Sequence, residues 1–381
     1  MAGTALANFN DFMKVTGPRY LSSAEEVINE AVKNTYILSR FLKGKGMDAS
    51  VQGGKTINDS VMFDEASTYD HYKPNATFSW SNPQVITDLE INWRFSVDHM
   101  SWTDQEVELN VSEGLSRDGQ KVAYKRLKRI KEMRLWTSFL NGMEADLWKG
   151  ALPNGAEMET NTGSLPYSIP SFISENTSNY HSFATGDATT VMGVAPGTET
   201  KWRNQVSTYD YGDADDSDGD QDGLLDAFDE MFLKVKFTPP STKQEYFEKD
   251  SLNRQFICCS RGGINLYKRM LRDANDTLVG KQDPAYNMPQ YSGIDLLYVA
   301  QLDDVAIYGD TTANDTETAA GDNAGYRYWW LNGNYMTPVY HARRYMEKHD
   351  PMRHPNQPFT TVQPVDCWWN LFCNSRQRQG I

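Results

Sequence analysis

The run DCWWNLFCNSRQRQGI, residues 366–381, places the strongest constraint on how this chain can fold. Every second residue from Cys367 to Cys373 is apolar, and Trp368 and Phe372 on the opposite face are apolar too. A strand that is apolar on both faces must be covered on both sides. We therefore predict a buried strand that is tied into a sheet and continues into a basic tail.

Composition excludes several classes of protein. The chain has 381 residues, of which 39% are hydrophobic, so it can form two domains with cores. A net charge of −14 argues against a dedicated nucleic-acid binder, because attraction to phosphate requires a positive surface. No apolar run reaches the roughly 18 residues of a membrane-spanning helix, and the N-terminus lacks the pattern of a secretory signal.

A strict alternation of apolar and polar residues runs from Val85 to Val97. It predicts one long, half-buried strand, whose partner we place at residues 56–63. The ribbon formed by residues 45–112 has one apolar face and little else, so it cannot build its own core. We predict that this face is buried against a neighbouring subunit. The predicted interface residues are Val85, Leu89, Ile91 and Trp93.

Helical spacing replaces the alternation over residues 117–149 and predicts a helix about 50 Å long at 1.5 Å per residue. Basic residues crowd its first half, either as a solvated face that pairs with acidic neighbours or as a contact with packaged nucleic acid. An earlier helix should begin after Ser22 and run to about Phe41. The remaining predicted elements are an edge strand at 164–175, helices at 223–235 and 262–275, and strands at 256–260, 293–302 and 326–341. Because strands and helices do not alternate strictly, the fold class is α+β.

Signatures of catalysis are missing from the sequence. It contains no glycine-rich dinucleotide or phosphate loop, no zinc-protease motif and no nucleophile elbow. The cysteines at 258, 259, 367 and 373 fit neither a zinc nor a redox spacing, and we predict them to be buried small hydrophobic residues. We therefore predict that the protein is not an enzyme.

One motif matches a metal site. DGDQDGLLDAFD, residues 218–229, follows the pattern of a calcium-binding loop, with an aspartate in place of the usual final glutamate. The candidate calcium ligands are Asp218, Asp220, Asp222, the carbonyl of Leu224, Asp226 and Asp229. The alternative is an acidic turn that caps the following helix, where carboxylates are favourable. Both interpretations stay open at this point.

Several motifs, in order along the chain, resemble one family. They are GGKTI (53–57), FSW (78–80), LPYSIPSFISE (165–175), TKWRNQ (200–205), YWWLNGNYMTPVYH (328–341) and NLFCNSRQRQGI (370–381). Together with the succession of arm, ribbon, very long helix and mixed domain, they resemble the major capsid proteins of tailed bacteriophages. The similarity is to the podovirus-like group and covers most of the chain from Ser22 onward.

The resemblance implies an α+β Hong Kong 97-like capsid fold with five segments. These would be an N-terminal arm and helix (1–44), an extended loop (45–112), a peripheral domain with a spine helix (113–199), an axial domain (200–325), and a return to the peripheral domain with the terminal strand (326–381).

The resemblance also implies a function. Copies of the chain would form hexamers and pentamers that close into an icosahedral shell around double-stranded DNA, without sequence-specific binding and without a membrane. Expected partners are a scaffolding protein, a portal protein and a cement protein. Residues 1–21 are too few for a long helical pro-segment, so we expect the scaffold to be a separate protein. The expected location is the virion head, and the host cytoplasm during assembly.

Two rival functions remain. An encapsulin-like nanocompartment shell would share the fold but carry cargo rather than DNA. A calcium-binding adhesin would explain the acidic loop, although the sequence shows no secretory signal.

Overall fold

The computed structural model describes residues 37, 50–51, 53–63, 71, 73, 86–110, 117–148, 165–174, 190–209, 222–235, 255–274, 289–303 and 326–381. The strands among them are β1 (Ser50–Val51), β2 (Thr56–Met62), β3 (Ile86–Asn92), β4 (Arg94–Thr103), β5 (Gln255–Cys259), β6 (Gln290–Tyr291), β7 (Ile294–Tyr298), β8 (Tyr328–Asn332), β9 (Met336–His341), β10 (Glu347–Lys348), β11 (Met352–His354) and β12 (Gln357–Cys373). The α-helices are α1 (Asp104–Asn110), α2 (Arg117–Trp148), α3 (Ile169–Phe172), α4 (Asp222–Val235) and α5 (Arg261–Ala274).

The chain forms two compact units, each assembled from separate stretches of sequence. The first unit contains Phe95–Glu144 and His341–Trp368. The second contains Thr35–Arg94, Ala145–Tyr340 and Trp369–Ile381. The boundaries of the five segments expected from the sequence stay predictions.

In the first unit, α2 covers one face of an antiparallel sheet. Strand β12 is the common neighbour of β4, β10 and β11. Met100 and Trp102 of β4 pack with Val365 of β12 and with Leu135 of α2. The prediction of a very long helix is confirmed, since α2 has 32 residues.

In the second unit, a four-stranded sheet in the order β6–β7–β5–β8 carries the core. Strand β5 pairs in parallel with β7 and antiparallel with β8. Helices α4 and α5 pack on this sheet, and Phe228 of α4 is stacked on Tyr267 of α5 at a ring distance of 5.4 Å. The predicted helix at 223–235, strand at 256–260 and helix at 262–275 are therefore confirmed. The strand predicted at 293–302 is shorter, because a 3₁₀ turn follows β7 at Ala300–Asp303.

The edge strand predicted at 164–175 is wrong, because the structure places α3 there. Ser168 precedes the helix, and its backbone N–H donates to the hydroxyl of Ser171 at 3.0 Å. Pro170 lies in the first turn, where a missing N–H costs nothing. The two prolines in this run therefore belong to a short capped helix and its approach, not to a strand edge.

Two predicted strands are each divided in two. The run from Val85 to Val97 is interrupted at Trp93, which separates β3 from β4. The strand predicted at 326–341 consists of β8 and β9, joined by a turn. The helix expected after Ser22 lies outside the described residues, apart from Ile37, which is helical and buried.

The terminal strand is confirmed. Strand β12 buries Cys367, Trp369, Leu371 and Cys373 completely, and Phe372 on the other face is buried as well. The tail after it differs from the prediction, because Arg376 and Arg378 are buried in a 3₁₀ turn instead of forming a basic surface. All four cysteines are buried free thiols, as predicted. Burial raises the pKa of Cys367 to about 11 and that of Cys373 to about 12.

Candidate assembly surfaces

The β2–β3 hairpin is fixed at its base by its own chain. Ile57 of β2 lies opposite Ile91 of β3, and both are buried. The indole N–H of Trp93 donates to the carbonyl of Gly54 at 3.2 Å. Gly53 and Gly54 both have positive φ angles, of 75° and 89°, which glycine adopts without strain. The predicted partner of β3 at residues 56–63 is therefore confirmed.

The burial of β3 changes how the predicted interface must be understood. Leu89, Ile91 and Trp93 are only 0%, 2% and 7% exposed within a single chain. The expectation that this face lacks a cover of its own is therefore wrong for these three residues. Val85 lies outside the described residues. A direct role of these four side chains in assembly stays a prediction, but three of them are already covered before any neighbour arrives.

The distal end of the hairpin does expose apolar surface. Met62 and Ile86 lie directly opposite each other, and they are 62% and 58% exposed. The rest of this outer face is polar, and the hydroxyl of Ser60 donates to Asp88 at 2.7 Å. An exposed pair of large apolar side chains on an otherwise polar hairpin is typical of a contact with another molecule.

A second apolar surface lies on the first unit, on the sheet face opposite the buried Met100 and Trp102. Phe95 and Val97 of β4 are 63% and 73% exposed. The ring of Phe95 meets Trp368 of β12 edge to face at 4.9 Å, which places both on this outer face. We call the face formed by Phe95, Val97 and Trp368 the outer sheet face.

Charged and aromatic side chains surround Trp368. The ring of His341 lies 5.1 Å from it, and the guanidinium of Arg344 lies 5.8 Å from its centroid. Asp366, two residues earlier on β12, accepts from Arg344 at 3.4 Å and lies 2.9 Å from Nε2 of His349. Tryptophan and arginine side chains of this kind are enriched among the residues that dominate protein–protein binding energy.

The sequence contains a signal for this face that the alternation from Val85 to Val97 concealed. Apolar residues occupy odd positions up to Val97 and even positions at Met100 and Trp102. Because strand neighbours point to opposite faces, only one of these two sets can face α2. The larger pair, Met100 and Trp102, is buried, and the odd positions of β4 are left outside.

The basic part of α2 is partly explained by ion pairs. The ammonium of Lys131 lies 2.6 Å from Glu106 of α1 and also donates to the carbonyl of Ser101 at 2.8 Å. On the next turn, Glu132 accepts from Lys348 of β10 at 3.0 Å. For Lys131 these contacts favour pairing with acidic neighbours over contact with nucleic acid. The side chains of the basic residues before Lys128 are outside the described part of the chain.

The predicted calcium loop is only partly described. Asp218 and Asp220 lie outside the described residues, whereas Asp222, Leu224, Asp226 and Asp229 all belong to α4. Inside a helix the carbonyl of Leu224 is directed toward the amide four residues on, so its predicted role as a ligand conflicts with the structure. Asp229 accepts a hydrogen bond from the hydroxyl of Tyr291. The helical backbone of these residues supports the alternative of an acidic cap, and calcium binding stays a prediction.

Two classes of site are not found among the described residues. No group of three or more histidine, cysteine, aspartate or glutamate side chains there is arranged to hold a metal ion. No helix in the same part of the chain combines the length and the apolar character needed to cross a membrane.

Solved structures identify the fold. The capsid asymmetric unit of cyanophage A-1(L) matches 93% of this chain and 94% of that chain, with a TM-score of 0.52 and 10% sequence identity. The chain has a phage capsid fold. The capsid of an empty GTA particle also matches, over 100% of this chain and 97% of that one, with 9% identity and a TM-score of 0.48. Cyanophage Pam1 matches over 96% of this chain and 98% of that chain, at 13% identity and a TM-score of 0.42. Neither a protein-family model nor a curated protein sequence matches the chain.

Proposed function

We propose that this chain is the major capsid protein of a tailed bacteriophage. Copies of it form hexamers and pentamers that close into the icosahedral head shell around double-stranded DNA. The observation that carries the proposal is the fold shared with the cyanophage A-1(L) capsid over 93% of the chain. The role is structural, without a catalytic cycle, and its location is the virion head, reached by assembly in the host cytoplasm.

The finer form of the proposal is the Hong Kong 97 variety of the fold. It takes α2 as the spine helix and residues 45–112 as the extended loop. The order of the elements along the chain supports this arrangement, as do the capsid-like motifs from Gly53 to Ile381. Peripheral and axial domains at 113–199 and 200–325 belong to the same proposal.

Self-association is supported by apolar surface that one chain leaves uncovered. The pair Met62 and Ile86 on the hairpin and the outer sheet face on the first unit are the surfaces we assign to contacts between copies. Each combines large apolar side chains with a polar surround, as interfaces between subunits do. A separate scaffolding protein, a portal protein and a cement protein are the further proposed partners.

Electron microscopy of the purified protein tests the proposal. We expect closed shells of uniform size when the chain is produced together with its scaffolding protein, and few or irregular shells without it. A protein that stays monomeric under both conditions would contradict the proposal. Uniform shells that form from the chain alone and enclose other proteins would instead identify a nanocompartment.

Calcium binding is a separate proposal. The acidic loop would bind the ion weakly, through Asp218, Asp220 and Asp222 at the start of α4. Several aspartates close together repel one another unless a cation or the helix N-terminus offsets their charge. Melting of particles with calcium and with a chelator tests it.

A further inference from the structure

The segment Asn370–Ile381, which we call the terminal segment, contacts parts of the second unit that are far away in sequence. Its first contact is made by Asn370, whose side chain is fully buried. The amide of Asn370 donates to the carbonyl of Asn92, at the end of β3, at 2.7 Å. Its oxygen accepts from the backbone N–H of Tyr167 at 2.7 Å. One side chain thus joins β12, the end of the hairpin and the segment before α3.

A second contact reaches the other strand of the hairpin. The amide of Asn374 donates to Asp59 of β2 at 2.8 Å, and its backbone N–H donates to the carbonyl of Tyr335 at 2.8 Å. Asp59 lies opposite Leu89, the most deeply buried residue of the hairpin. Both strands of the hairpin are therefore bonded to the terminal segment within four residues of each other.

Arg376 connects two irregular segments to the same place. Its guanidinium is fully buried and donates to the carbonyls of Phe172 at 2.6 Å and Trp202 at 3.1 Å. These acceptors are neutral, and desolvation by burial lowers the pKa of Arg376. Buried backbone carbonyls outside regular structure need such donors, so the segments around α3 and Trp202 depend on this side chain for their conformation.

The last residues fasten the terminal segment to the central sheet. The side chain of Gln379 binds both the N–H and the carbonyl of Asn332 on β8, at 2.8 and 3.1 Å. Gly380 exchanges two backbone hydrogen bonds with Trp330, at 2.9 and 3.0 Å. A Cβ atom on Gly380 would lie 2.7 Å from the sulfur of Met231, so no larger residue fits without a shift.

We infer that the terminal segment positions the β2–β3 hairpin, and that the hairpin reaches its final place only after this segment has docked on β8. The two halves of the contact are almost 300 residues apart, since Asn92 and Asn370 are separated by 278 positions. The hairpin is therefore made long before its anchor during synthesis. Provided that the proposed function is right, subunits in which the segment has not docked hold their hairpin wrongly and do not enter a shell.

Hydrogen exchange on soluble, unassembled subunits tests this inference without requiring a shell. Removing one buried amide with Asn370→Ala should raise exchange of the β2–β3 amides about tenfold and leave the amides of β5 and β7 unchanged. The matched control is Asn356→Ala, an exposed asparagine in the turn between β11 and β12, which should leave hairpin exchange as it is.

An exchange of partners tests the second contact at an exposed site, where folding is not at risk. Asn374→Asp places a carboxylate against Asp59 and should speed hairpin exchange. Adding Asp59→Asn restores a donor and an acceptor and should return the rate to that of the natural chain. The inference is wrong if hairpin exchange ignores these changes, or if exchange in β5 and β7 rises equally. A hairpin that responds in a protein that never forms shells would uphold the inference and reject the proposed function.

Discussion

Strands β3 and β4 follow each other with one residue between them, yet they bury opposite positions of the same alternation. In β3 the odd-numbered Leu89 and Ile91 are buried. In β4 the odd-numbered Phe95 and Val97 are exposed, and the even-numbered Met100 and Trp102 are buried. The difference arises from what covers each strand, since β3 pairs with β2 in the second unit and β4 packs against α2 in the first.

The contrast separates two roles that one pattern had merged. Apolar positions of β3 stabilise the subunit itself, whereas those of β4 remain available to another molecule. An apolar residue that is buried within a chain contributes to folding before assembly, and one that stays exposed contributes only when a partner covers it. Substitutions in the two strands should therefore affect different measurements.

The largest expected effect on stability is that of Leu89→Asp combined with Ile91→Asp. Both side chains are buried in a single chain, so two carboxylates would lose their water without gaining partners. We expect the free energy of unfolding to fall by more than about 4 kcal/mol, as measured by denaturant titration. A soluble, folded variant that only fails to assemble would contradict this and restore the view of β3 as an uncovered arm.

Trp369→Ala and Trp368→Ala form a matched pair on β12. Trp369 is completely buried and is stacked on Tyr340, so its loss should cost about 3–5 kcal/mol of unfolding free energy. Trp368 lies on the outer sheet face, and its loss should cost less than about 2 kcal/mol while weakening shell formation. Equal effects of the two substitutions on stability would show that the outer face is covered within the chain.

Phe95→Asp combined with Val97→Asp should have little effect on unfolding, within about 0.5 kcal/mol, because both side chains are exposed. The concentration of subunits needed for shell formation should instead rise about tenfold or more. Light scattering during assembly measures this change. The control is Leu233→Asp, which removes an equally exposed apolar side chain from α4 and should leave assembly unchanged if the outer sheet face is the interface.

The smallest expected effect concerns the acidic loop, which belongs to neither strand. If it binds calcium, millimolar calcium should stabilise particles by about 1 kcal/mol per subunit. Asp220→Ala combined with Asp222→Ala should abolish the difference in melting temperature between calcium and chelator. Calcium that shifts the melting of both proteins equally, or of neither, would leave the acidic helix cap as the explanation.

Periodicity predicted those parts of the fold whose cover is local or obvious. The length of α2, the pairing of β2 with β3 and the burial of β12 follow from patterns within each segment. The position of α3 could not be predicted from apolar content, because the hydroxyls at Ser168 and Ser171 and the proline between them decide it.

The candidate surfaces were harder to predict than the strands that carry them. Which face of β4 is open depends on α2, and no residue of β4 records that contact. Arg376 has the sequence context of a basic tail, and only the carbonyls of Phe172 and Trp202, about 170–200 residues away, make it a buried donor. Long-range partners of this kind leave no periodic trace in the sequence.

The burial of all four cysteines has a consequence for the redox behaviour of a particle built from this chain. The thiolate is the form that reacts with oxidants and disulfides, and a buried thiol with a raised pKa remains protonated at neutral pH. Subunits of this kind form no disulfide bonds with their neighbours on passing from the reducing interior of a cell to air-saturated water. Such a shell depends on packing and hydrogen bonds alone, and reductants neither weaken nor strengthen it.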